Sequence, residues 1–74
     1  MLYKRSSFLT YLKDKGCDII PLKDSPVIKI VNGTQSAYIR LSGSDLIDYE
    51  EIYLIYNKLL LVDLPGDKDL DRVE

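Results

Sequence analysis

The chain has 74 residues, ten Lys/Arg against twelve Asp/Glu for a formal net charge of −2, and no histidine. Histidine is the side chain that titrates nearest neutral pH and the commonest general base and metal ligand, so most small-enzyme mechanisms lose their central group here. The length allows one small domain that buries roughly 60% of the surface its unfolded chain exposes. No apolar run approaches the roughly 20 residues that cross a bilayer.

The opening Met1-Leu2-Tyr3-Lys4-Arg5 lacks the apolar core of a secretion signal, which sets the expectation of a cytoplasmic protein with no membrane partner. Cys17 is the sole cysteine, so no internal disulfide can form, and its setting between Gly16 and Asp18 favours a partly buried small apolar role. Charge is uneven. Residues 1–40 hold seven Lys/Arg and three Asp/Glu, whereas residues 41–74 hold three and nine. Such asymmetry can guide a partner or order self-association.

The first helix is expected from a Ser6 or Ser7 cap, with Phe8, Leu9 and Leu12 on one face. Gly16 supplies the left-handed residue that ends it. Cys17 to Leu22 reads as a strand, and Pro21, lacking an amide hydrogen, assigns it to a sheet edge. Lys23 to Pro26 is a turn by composition. Val27–Val31 and Thr34–Leu41 flank Asn32-Gly33, the signature of a two-residue type I′ hairpin. That turn sets Val31 against Thr34 and Ile28 against Ala37. The core face is then Ile28, Ile30, Ala37, Ile39 and Leu41, and the opposite face carries Lys29, Tyr38 and Arg40.

After the Ser42–Asp45 loop, Asp48 with Glu51 three residues on forms a capping box, and Ile47 with Ile52 a hydrophobic staple. The second helix is expected to reach about Leu61. Ile52, Ile55, Leu59 and Val62 make one stripe, Tyr49, Tyr53, Tyr56 and Leu60 an adjacent one, with Leu54 and Leu61 further round. Pro65-Gly66 breaks the chain, and residues 65–74 read as a polar, acidic, flexible tail to a single domain of residues 1–64. The fold class is therefore α+β in the order α-β-β-β-α: a three-stranded antiparallel meander with both helices packed on one face.

This order and punctuation resemble the HicA-type toxins of bacterial toxin–antitoxin pairs. The likeness spans roughly residues 4–65. Its carriers are Phe8 to Cys17, Ile19 to Leu22, Val27 to Ile30, Glu51 to Leu59 and Asp63-Leu64-Pro65. It implies a double-stranded-RNA-binding-like fold, RNA as a partner and a small antitoxin protein. In that family the cleavage of messenger RNA depends on a histidine at the start of the second strand. This chain has Asp24-Ser25-Pro26-Val27 there, so the resemblance carries the fold and a partner but not the reaction.

The remaining candidates separate by chemistry. Asp67, Asp69 and Asp71 have the spacing that opens a calcium loop, but the sixth position is Arg72 where such a loop needs glycine. Helix capping and dipole complementarity explain at least three of Asp45, Asp48, Glu50 and Glu51. No catalytic residue, metal-ligand set or cofactor is therefore nominated. Lys29, Tyr38 and Arg40 are candidates for holding a nucleic-acid backbone and stacking a base, although a pI near 5.0 is not the usual footprint of such proteins. Tyr49, Tyr53, Tyr56 and Leu60 are candidates for binding a small protein partner or a second copy of the chain. The sequence points first to a non-catalytic interaction domain, with a HicA-like RNA-binding or RNA-cleaving component as the alternative.

Overall fold

The computed structural model describes residues 1–41, 43–66 and 68–73. Eight elements follow in order: β1 (Leu2–Lys4), α1 (Arg5–Asp14), β2 (Asp18–Pro21), β3 (Val27–Asn32), β4 (Gln35–Arg40), β5 (Leu46–Asp48), α2 (Tyr49–Lys58) and β6 (Arg72–Val73). They form an α+β domain with two three-stranded antiparallel sheets, ordered β2-β3-β4 and β5-β1-β6. The first is the expected meander. The second is an addition, assembled from strands of two or three residues that carry no periodicity of their own.

In the meander, Ile28, Ile30, Ala37 and Ile39 are buried on one face. α1 packs beside β2 and α2 beside β4 over that face, so Phe8, Leu12, Ile52, Ile55 and Leu59 join the core. β2 is an edge strand, as Pro21 requires. Cys17 is buried next to it, and burial raises its thiol pKa, with Asp18 adding to the effect.

The hairpin register is displaced from expectation by two residues. Asn32 pairs with Gln35 and Ile28 with Ile39, so the loop is Gly33-Thr34. Only Gly33 there takes positive φ (63°). Asn32 is held in the strand, and its amide donates to the Leu59 carbonyl at 2.8 Å, capping the end of α2. A displacement of two keeps every side chain on its expected face, except that Leu41 lies beyond the ladder and is 37% exposed.

Neither Ser6 nor Ser7 caps α1. The helix begins at Arg5 after Lys4, which offers no side-chain cap. Asp45 caps it from across the fold: its carboxylate accepts from the Ser6 amide at 3.0 Å and the Ser6 hydroxyl at 2.7 Å. The Ser6 hydroxyl, chief among several contacts, holds the Asp45 pKa below its ordinary value. Arg5 is buried. Its guanidinium donates to the carbonyls of Ser44 and Leu41, tying the β4–β5 loop to the start of α1.

Residues 65–74 are not a loose tail at the positions described. Pro65 and Leu70 are buried, β6 pairs with β1, and the Asp71 amide donates to the Ser7 hydroxyl at 3.0 Å. The domain therefore extends past residue 64. Burying Leu70 completes a core that the first sheet alone leaves open.

Candidate functional site

α2 starts at the expected Asp48 cap, but the cap bond comes from the Glu50 amide and not, as a capping box requires, from that of Glu51. Asp48 is the N-cap and its carboxylate accepts from the Glu50 amide at 2.9 Å, with Glu50 and Glu51 at the positive end of the helix dipole. The acidic cluster is thus consumed by capping: Asp45 serves α1 and Asp48 serves α2. Among the described residues no three His, Cys, Asp or Glu side chains gather as metal ligands do. Asp67 of the calcium-loop pattern lies outside the described residues. Asp69 accepts from the Gly66 amide and closes a turn.

The tyrosine stripe divides. Tyr56 is 2% exposed and packs its ring 6.4 Å from Tyr11 on α1. Burial first, then a hydrogen bond with Tyr11, raises its phenol pKa. It is a core residue and drops out of any contact surface. Tyr49 is half-buried, its ring 6.0 Å from that of Tyr3 on β1. The two line a shallow groove of about 430 Å³ with Met1, Pro65 and Gly66. Tyr53 is 48% exposed and Leu54 62%. At 100° per residue, burial of Ile52, Ile55 and Tyr56 turns Leu54 outward and leaves Tyr53 on the flank.

The exit of α2 adds to this surface. The helix ends at Lys58 rather than near Leu61, and Leu60 takes φ 54°. The Leu61 amide donates to the Tyr56 carbonyl and the Leu60 amide to that of Asn57, the paired bonds of a Schellman motif. α1 ends in the same motif: Cys17 donates to Leu12 and Gly16 to Lys13. There the left-handed position is held by glycine at φ 90°. In α2 it is held by leucine, for which that conformation costs about 1–2 kcal/mol. The Leu60 side chain is 68% exposed, so little packing offsets the strain. Val62 at 91% and Leu64 at 41% continue the exposed apolar run. Sequence spacing found Leu60, but placed Val62 on the buried stripe because it extended the helix past its true end.

The sheet face opposite the helices carries the second candidate set. Lys29 pairs directly with Tyr38, and Ile20 of β2 flanks Lys29 on the other side. Arg40 pairs with Val27 on the same face. Tyr38 is 56% exposed, Arg40 is exposed and Lys29 is half-buried. The three expected residues are therefore neighbours. Ile20, 44% exposed, belongs with them and was not anticipated, because its strand partner follows from the register of β2 on β3.

No family model, curated protein or solved structure matches the chain. No helix among the described residues is long and apolar enough to cross a membrane.

Proposed function

We propose that the chain is a protein-interaction domain that engages its partner through the outer face and exit of α2: Tyr53, Leu54, Leu60 and Val62. The carrying observation is Leu60, a large apolar residue held at φ 54° with 68% of its surface exposed. Strained backbone persists only where the surrounding structure over-determines it, here the Schellman bonds, and it clusters at functional surfaces. A leucine that gains little from its own fold is accounted for by what it meets in a partner. Non-catalytic action agrees with the missing histidine, which removes imidazole acid–base chemistry.

A photo-crosslinking amino acid at Leu54 tests this in extracts of the producing cell, with one at Lys13 on α1 as control. A discrete adduct from position 54 alone, abolished by Leu60→Asp, is the expected result. Equal labelling from both positions would sink the proposal.

One observation favours a second reading, a HicA-like RNA-binding component: Lys29, Tyr38 and Arg40 do share an exposed face. RNA retention that falls with salt, and falls further in Lys29→Ala/Arg40→Ala, would support it. No retention at low salt would remove it.

A further inference from the structure

The two edges of the β2-β3-β4 sheet are unlike. The Leu22 amide bonds to the Val27 carbonyl, so the backbone N–H and C=O groups of the even residues of β2 face β3, and the backbone polar groups of Ile19 and Pro21 point away from it. Pro21 has no amide hydrogen, which blunts that edge. At the other edge the Leu41 amide bonds to the Pro26 carbonyl. The odd residues of β4 therefore face β3, and the N–H and C=O groups of Ser36, Tyr38 and Arg40 point away from the sheet. β4 is the last strand of its sheet. Among the described residues, no hydrogen bond outside that ladder reaches the backbone of these three. No proline guards them, and all three are exposed.

We propose that this edge pairs antiparallel with β4 of a second copy of the chain, on a two-fold axis at Tyr38. The spacing is self-complementary. With Tyr38 opposite Tyr38 of the partner subunit, Ser36 lies opposite Arg40 of the partner subunit, and all three outward positions fall on hydrogen-bonded pairs. The two Arg40 side chains end four residues apart along the strands, roughly 13 Å at 3.3 Å per residue. That exceeds the screening length of about 8 Å at physiological salt. The same axis makes the two copies of α2 antiparallel. The edge contact itself, at Ser36, Tyr38 and Arg40, is separate from the Leu60 surface at the exit of α2.

Sedimentation equilibrium of the full chain, with a charge exchange at the edge, tests it. The wild type is expected to dimerise. Ser36→Lys sets a lysine opposite Arg40 twice per dimer and should weaken association on the order of tenfold. Ser36→Lys/Arg40→Glu should restore it. Both positions are exposed, and unchanged circular dichroism of each variant verifies folding. A monomer at millimolar concentration overturns the pairing while leaving capture of a partner by α2 intact. A dimer indifferent to Ser36→Lys but dissociated by Leu60→Asp also overturns it, and assigns self-association to α2.

Discussion

Leu60 offers a decisive measurement, because its strain and its exposure make separable contributions. Replacing it with glycine relieves a left-handed conformation that costs a leucine about 1–2 kcal/mol. Full burial of a leucine is worth about 1.5–3 kcal/mol. With Leu60 68% exposed, removing the side chain loses about a third of that, roughly 0.5–1 kcal/mol. Glycine also adds unfolded-chain entropy worth about 0.4–1 kcal/mol. Gains and losses cancel, so Leu60→Gly should leave stability within about 1 kcal/mol of wild type. Leu60→Val keeps a side chain but is β-branched, a poorer occupant of positive φ, and should destabilise by about 1 kcal/mol or more. Urea unfolding followed by circular dichroism reads both variants, with equal m-values required for the comparison. A loss above about 2 kcal/mol in Leu60→Gly would show that the side chain holds the fold. Leu60 would then no longer be a residue spared for a partner.

Two further outcomes follow from the packing. Leu70→Ala should cost about 2–3 kcal/mol, because Leu70 is buried in the core. In a thermal melt that is a fall of roughly 10–20 °C. Val62→Ala, at a residue 91% exposed, should stay within about 0.5 kcal/mol, and equal effects at the two sites would refute the docked C-terminal segment. The Asp45 pKa is depressed below 3.8 in the folded state, so its contribution is present above that value and is lost as pH falls through the folded pKa. Asp45→Asn should therefore flatten the acid limb of stability against pH. Parallel wild-type and variant curves would show that capping of α1 from Asp45 carries no weight.

The candidate surface was legible only in part, and the split follows the geometry of α2. Spacing placed Tyr49, Tyr53, Tyr56 and Leu60 on one stripe beside a wide apolar face. Which stripe turns inward depends on how α1 and β4 grip the helix, and Tyr11 on α1 draws Tyr56 into the core. Tyr53 and Leu60 remain outside with Leu54. The sheet face fared better. Strand alternation has period two, so Lys29, Tyr38 and Arg40 kept a common side even though the hairpin shifted its register.

By itself the sequence determined what depends on near neighbours: two amphipathic helices, the Asp48 cap, the glycine that ends α1, the Pro21 edge and the faces of the hairpin. These rest on periodicity, backbone conformation and hydrogen bonds within a few residues. Tertiary structure decided the rest. The β5-β1-β6 sheet joins segments distant in sequence, each too short to carry a pattern. α1 is capped by Asp45, which is 39 residues from Ser6. Asn32, expected in the turn, is fixed in β3 with its amide on the end of α2. Local propensity offers such a residue several partners of similar energy, and only the packed core removes all but one.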